Sequence, residues 1–289
     1  MKNYFIFSKD TVVSCKVWLI VSSRKMRCIN HANGNFHGLF ISVGIGTFLS
    51  DIAMDFRLFE VFLNTFSEFT PNYLRELRTM ADVYGAEIKS VHPFTSGYEG
   101  FLLFSEYERR FQDSLEFYKH YFEAANYLGA SIVVLHGQRD YASANISEST
   151  YFERYAALFE LGQSYGITVA QENVNKFRSE SPGFIRRMRD YLGEECAFVI
   201  DLKQAVRAGQ DPFTMCEAMG ERIIHVHIND NAPGYDCLLP GRGTVDFQRF
   251  RNLLLEFHYQ GDLIIEVYRK NFSNLTELQE AREIVQQLT

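Results

Sequence analysis

From residue 58 onward, short apolar runs rich in β-branched residues alternate with longer amphipathic ones. The short runs are LFEVFL (58–63), EIKSVHP (87–93), SIVVLHG (131–137), ITVAQENV (167–174), AFVIDL (197–202), RIIHVHI (222–228) and DLIIEVY (262–268). Each has the length and residue types of a buried strand. Helical patterns fill the intervals at 70–85, 105–129, 147–166, 181–193, 211–220 and 246–261, and a last one at 274–288 closes the chain. Their ends carry the expected signals: Thr70 as N-cap with Pro71 at the first helical position, Asp246 as another N-cap, and Gly85, Gly129 and Gly166 as stops.

A strand–helix repeat of this kind implies parallel strands joined by crossover helices. Seven strands are visible, and an eighth is expected upstream. GLFISVG (38–44) is the candidate, followed by FLSDIAMDF as a short first helix; KVWLIVS (16–22) is its rival. Eight units close into a (β/α)8 TIM barrel, an α/β fold of about 250 residues. The expectation is one barrel domain over residues 38–289, with 1–37 as an N-terminal extension of uncertain structure. No GxGxxG follows the first strand, which counts against a dinucleotide-binding open sheet.

Composition narrows the function. Hydrophobic residues are 46% of the 289, enough for a sizeable core, and the net charge is -7 with no long basic run. That argues against a nucleic-acid partner, which calls for a basic footprint. The five cysteines are odd in number and form no CxxC pair, so they read as reduced thiols of a cytoplasmic protein. No apolar run reaches transmembrane length. Lys16 interrupts TVVSCKVWLIVSS, and no small-residue cleavage pattern follows, which counts against a signal peptide. Oligomeric state is left open, a homo-oligomer included.

In a barrel of parallel strands, chemistry sits at the C-terminal strand ends. His92, His136, Glu172, Asp201, His227 and Glu266 all fall there. Strand residues two apart share a face. Thr168, Ala170 and Glu172 therefore line up, as do Ala197, Val199 and Asp201, and Ile264 with Glu266. Each row of small or apolar residues ends in an ionisable group. Glu172, Asp201, His227 and Glu266 come from four successive strands, whose spacing is about 4.8 Å. Buried carboxylates need a partner or a metal. Three carboxylates and an imidazole suit one divalent cation, Mn²⁺ or Mg²⁺ first, with Zn²⁺ or Co²⁺ also compatible. His225 shares a face with His227 but lies one layer deeper. It reads as a support for the metal site, hydrogen-bonded to a ligand carboxylate.

The stretches EVFLNTFSE, SVHPF, VVLHG, QENV, VIDLKQA, HVHIND, PGRGTVDF and IIEVY, in this order and spacing, span more than three-quarters of the chain. They resemble the sugar phosphate isomerase/epimerase family, the xylose-isomerase-like TIM barrels. That family's metal ligands are a Glu, an Asp, a His and a Glu after its fifth to eighth strands. The resemblance implies Glu172, Asp201, His227 and Glu266 in those roles, and the 26 residues from Asp201 to His227 fit the family spacing. It also implies proton transfer next to a carbonyl through a metal-stabilised enediolate, with Glu172 and Glu266 as the catalytic acid–base pair. The substrate would be a small carbohydrate: a sugar, a sugar phosphate or a related polyol. His92 and His136 would bind its hydroxyls. Gln204, Lys203, Glu60 and Arg242 are further candidates for the substrate pocket.

Two positions depart from the family pattern. Gln204 stands where many relatives carry a histidine, and Pro233 where some epimerases carry an arginine. The alternatives are an inosose-type dehydratase on the same scaffold, an endonuclease IV-like phosphodiesterase and a non-catalytic sugar-binding barrel. Gln204 and the negative net charge count against the nuclease. The presence of all four ligands counts against the inert barrel.

Overall fold

The computed structural model describes residues 18–19, 56–140 and 145–288. The expected first strand at 38–44 and the helix after it lie outside the described residues, as do Cys15 and Cys28. The strands are β1 (Trp18–Leu19), β2 (Leu58–Phe62), β3 (Glu87–His92), β4 (Ile132–Leu135), β5 (Thr168–Glu172), β6 (Phe198–Asp201), β7 (Ile223–Ile228), β8 (Asp230–Ala232), β9 (Tyr235–Leu238), β10 (Leu263–Ile265) and β11 (Val267–Tyr268). The α-helices are α1 (Pro71–Tyr84), α2 (Glu108–Leu128), α3 (Glu148–Ser164), α4 (Pro182–Leu192), α5 (Leu202–Arg207), α6 (Pro212–Met219), α7 (Phe247–Glu256) and α8 (Thr276–Gln286).

Seven strands form one parallel sheet in the order β10-β7-β6-β5-β4-β3-β2. Within this sheet each strand pairs with the sheet strand before it in the chain, so the order never reverses as it does in a doubly wound sheet. Flat, this sheet would hold β2 and β7 five spacings apart, about 24 Å at 4.8 Å each. Instead the Glu60 carboxylate of β2 lies 3.0 Å from the His225 ring of β7. The sheet is curled into the α/β barrel that the strand–helix rhythm predicts.

Two apolar layers follow from the curl. Inside the barrel, Val134, Ala170, Ala197 and Val199 pack together, the small inward residues that strand parity picks out. Outside it, the opposite strand faces meet the helices in the main core, with Phe59, Val133, Phe198 and Val226 fully buried against side chains such as Tyr155, Met188, Met219 and Leu254. Cys196, Cys216 and Cys237 are buried, and none of the three is in a disulfide.

The helix signals hold with one adjustment. Ser147, Ser181, Asp211 and Asp246 each accept a backbone N–H of the first turn they cap. Thr70 occupies its N-cap position, but its hydroxyl donates to Ser67 O, because a short 3-10 turn at Phe66–Phe69 precedes the helix. The run 262–268 is broken at Glu266, which lies between β10 and β11. Trp18–Leu19, inside the rival first-strand segment, pairs antiparallel with Val267–Tyr268 and so does not supply a parallel barrel strand. Among the described residues no helix is long and apolar enough to cross a membrane.

The loop LPGRGTVDF takes its shape from a single carboxylate. Asp230 accepts the N–H groups of Asn231, Gly241, Gly243 and Val245 at 2.8–3.0 Å. Gly243 has no room for a side chain: a Cβ there would lie 2.2 Å from Asn231 O. The backbone must pass this close to Asp230 to give up its N–H groups.

Candidate metal centre and acid–base site

The carboxyl-terminal ends of β5, β6 and β7, together with the break after β10, bring Glu172, Asp201, His227 and Glu266 together. All four are buried, and one donor atom from each lies within 4.8 Å of every other. An ion with bonds near 2.0–2.5 Å places opposed ligands about 4–5 Å apart. His227 Nδ1 stands 3.2 Å from Glu172 Oε1 and 3.1 Å from Glu266 Oε2. In the sheet β7 and β6 lie between β10 and β5, so the two glutamates flank His227 and Asp201.

Asp201 doubles as the N-cap of α5, a short helix the periodicity does not reveal. Its Oδ1 accepts the backbone N–H of Lys203 at 2.8 Å and of Gln204 at 3.3 Å, and the Asn229 side-chain amide at 3.2 Å. Asn173 brackets the same residue, accepting Asp201 N–H and donating to its carbonyl. The cap turns the chain so that Lys203 folds back into the cluster. Its ammonium, fully buried, donates to Asp201 Oδ2 at 2.5 Å and to Glu266 Oε2.

Charge in this cluster is unevenly balanced. Burial would raise Glu266, but Lys203 and His227 hold it down to about 2. Burial likewise opposes ionisation of Glu172, and contacts with His136, His227 and His92 bring it well below the ordinary carboxylate value. Asp201 goes the other way: burial, opposed by Lys203, combines with Glu266 and Glu172 to push it well up. Three buried carboxylates in contact resist joint ionisation, and one ammonium does not neutralise them. The donor set fits a divalent cation on two further counts. It is oxygen-rich, and among the described residues none gives Glu172 Oε2, which is buried, a directed hydrogen bond.

His92 and His136 gather on the outer side of Glu172. Their Nε2 atoms are 2.9 Å apart, and Glu172 Oε2 lies 3.0 Å from His136 Nε2 and 3.7 Å from His92 Nε2. Phe62 stacks on His92 at 4.7 Å. The His136 side chain is 19% exposed against 9% for His92, so it stands nearer the opening. Gln204, in the first turn of α5, is buried, its Oε1 accepting the Asn175 N–H at 3.2 Å.

The remaining candidates are placed differently from expectation. His225 does not bond a carboxylate of the four-residue set; its partner is Glu60, at 3.0 Å. Glu60 is buried beneath His227 rather than at the barrel mouth. Arg242 is not brought to the cluster at all. It is half-exposed and pairs with Glu277 at 2.7 Å and Glu280 at 3.5 Å, on the first turns of α8.

Three residues at or near the site escaped the sequence reading. Asn229 continues the face of His225 and His227, so the alternation in HVHIND carried a signal for it. It is fully buried, and its Oδ1 has no hydrogen-bond partner among the described residues. Ser90 shares a face with His92 on β3 and donates to Glu60 at 2.5 Å. Glu99 lies in a loop with no periodic signal. It accepts the Tyr118 hydroxyl at 2.7 Å and the Gly137 N–H, which anchors the turn after His136. Burial raises its carboxyl to about 8 against these two donors.

Comparison with known proteins places this geometry in a lineage. An uncharacterised protein of Mycobacterium leprae is 27% identical over 174 residues, 53% of this chain and 62% of that protein, so the match spans about three-fifths of the relative's length. A solved D-tagatose 3-epimerase-like protein superposes with a TM-score of 0.67 at 24% identity, covering 85% of this chain and 93% of that one. The IOLI protein with a bound zinc atom superposes with a TM-score of 0.64 at 15% identity, covering 85% and 91%. At these identities the superpositions speak for the fold. The family model described as "xylose isomerase-like TIM barrel" matches residues 52–288, and the chain belongs to that family.

Proposed function

We propose that the chain is a metal-dependent isomerase or epimerase of a sugar, sugar phosphate or related polyol. The observation that carries this is the placing of two buried carboxylates, Glu172 and Glu266, on either side of a shared His227–Asp201 pair. The metal is a single divalent ion held by Glu172, Asp201, His227 and Glu266. When bound, it supplies a Lewis-acid hold on the substrate's carbonyl and neighbouring hydroxyl oxygens. The zinc atom in the IOLI protein and the name of the D-tagatose 3-epimerase-like structure support the same reading.

The residues divide the remaining work. Removal of a carbon-bound proton needs an ionised carboxylate, and Glu172, held well below the ordinary carboxylate value, is one. Glu266, on the other flank and ionised at rest, faces the opposite side of the enediolate, where it can return a proton only after taking one from substrate or solvent. Lys203 holds Glu266 and Asp201 in position from behind. His92 and His136 border the open side of Glu172, where substrate hydroxyls meet them and Gln204.

Mn²⁺ added to metal-free protein, followed by a screen of ketoses, aldoses, their phosphates and inososes for uptake of solvent deuterium, tests the reading. Exchange into one class is expected, and Glu266→Gln should abolish it while the fold stays intact. No exchange with any of them, together with no metal in the purified protein, overturns the proposal. Exchange accompanied by loss of water from the substrate identifies a dehydratase instead.

A further inference from the structure

Glu60 has no part in the acid–base chemistry just described, yet it is among the most enclosed charges in the barrel. The residue is 1% exposed. Three polar side chains converge on its Oε2: His225 Nε2 at 3.0 Å, His227 Nε2 at 3.2 Å and Ser90 Oγ at 2.5 Å. They come from two strands, β3 beside it and β7 across the barrel. A buried carboxylate accepts hydrogen bonds and donates none, so the hydrogen between His227 and Glu60 sits on Nε2. That leaves Nδ1 facing Glu172 Oε1 and Glu266 Oε2.

We propose that Glu60 is a positioning residue that holds His227 with Nε2–H turned down and Nδ1 aimed at the metal position. His225 and Ser90 keep the Glu60 carboxylate in place. Ser90 Oγ also lies 3.2 Å from His225 Nε2, and the two imidazoles meet edge to face at 5.1 Å. Without Glu60 the ring could present either nitrogen, and the ordered form would no longer be selected. Partners that orient a ligating histidine are typically worth about 10–100-fold in metal affinity. The assignment rests on the proposed cation site at Glu172, Asp201, His227 and Glu266.

The test combines calorimetric titration of metal-free protein with Zn²⁺ and Mn²⁺ and histidine ¹⁵N spectra of the Zn²⁺-loaded protein. In the wild type, one histidine should show a metal-shifted Nδ1 and an Nε2 proton that exchanges slowly with solvent. Glu60→Met, which removes the acceptor at similar size, should weaken both ions about 10–100-fold and lose the slowly exchanging proton. Glu60→Gln, whose carbonyl can still accept from Nε2–H, should recover part of the affinity. Unchanged affinity in Glu60→Met, or a wild-type His227 metallated at Nε2, overturns the role of Glu60 and leaves the proposed reaction standing. The wild-type spectrum decides the matter alone if the variants do not fold. A wild type that binds neither ion overturns the proposed function and this assignment with it.

Discussion

Lys203→Met gives the sharpest test of how the cluster balances its charge. The ammonium is fully buried and touches both Asp201 and Glu266. Methionine is of similar length and leaves two carboxylates facing each other with no cation between them. Removing one partner of a buried ion pair costs about 3–5 kcal/mol, because the charge left behind is uncompensated. An unfolding entropy near 2.1 cal/mol/K per residue gives about 0.6 kcal/mol/K for 289 residues. The expected loss in Tm is therefore about 5–8 °C for the metal-free protein. The proposed divalent cation would take over the neutralising role of Lys203, so saturating Mn²⁺ should restore most of that loss. Differential scanning calorimetry of both proteins, with chelator and with Mn²⁺, provides the four values needed. An equal loss in both conditions would refute the reasoning, as would no loss in chelator. Either result would mean that Lys203 does not compensate the carboxylates that the cation uses.

Asp230→Ala removes the acceptor of four backbone N–H groups in the loop before α7. It should cost about 3 kcal/mol or more, seen as a Tm loss of roughly 5 °C and faster amide exchange at Gly241 and Gly243. The pH dependence of the metal-free protein should bracket the Glu60–His227 contact from both sides. Burial opposes the Glu60 charge, but His227 and His225 hold it well below its ordinary 4.5, so its stabilisation is present above that value and fades as acid titrates it. Burial also opposes the His227 charge, but Glu60, Glu266 and Glu172 hold it well above 6.5. Its stabilisation is therefore complete below 6.5 and is lost as pH rises through the raised value. The Tm difference between wild type and Glu60→Gln should thus peak between about pH 4.5 and 6.5 and shrink on both sides; a difference flat in pH would contradict the contact.

Much of the barrel was legible because its signals are local. Seven strand runs, their capped helices and the small inward rows at 168–172 and 197–201 depend on periods of two and 3.6, which the chain carries within each element. Strand order follows chain order here, so Glu172, Asp201, His227 and Glu266 could be expected side by side at one end. Parity also placed His225 a layer below His227.

Tertiary structure decided what depends on closure and on turns. Glu60 and His225 are 165 residues apart and five strands apart in the sheet. Only the curl of the barrel makes them neighbours, and no local period encodes it. The break at Glu266 comes with a hydrogen bond to the distant Ile228 carbonyl, the cap at Asp201 rests on two to the backbone that follows it, and the cap is what sends Lys203 inward. Arg242 left the candidate site because its loop wraps the Asp230 carboxylate and delivers the guanidinium to α8. The sequence by itself therefore determined which strand residues turn inward, since side-chain direction in a strand alternates locally. Which of them act directly, and which hold another in place, was decided by contacts that form only when distant strands close on one another.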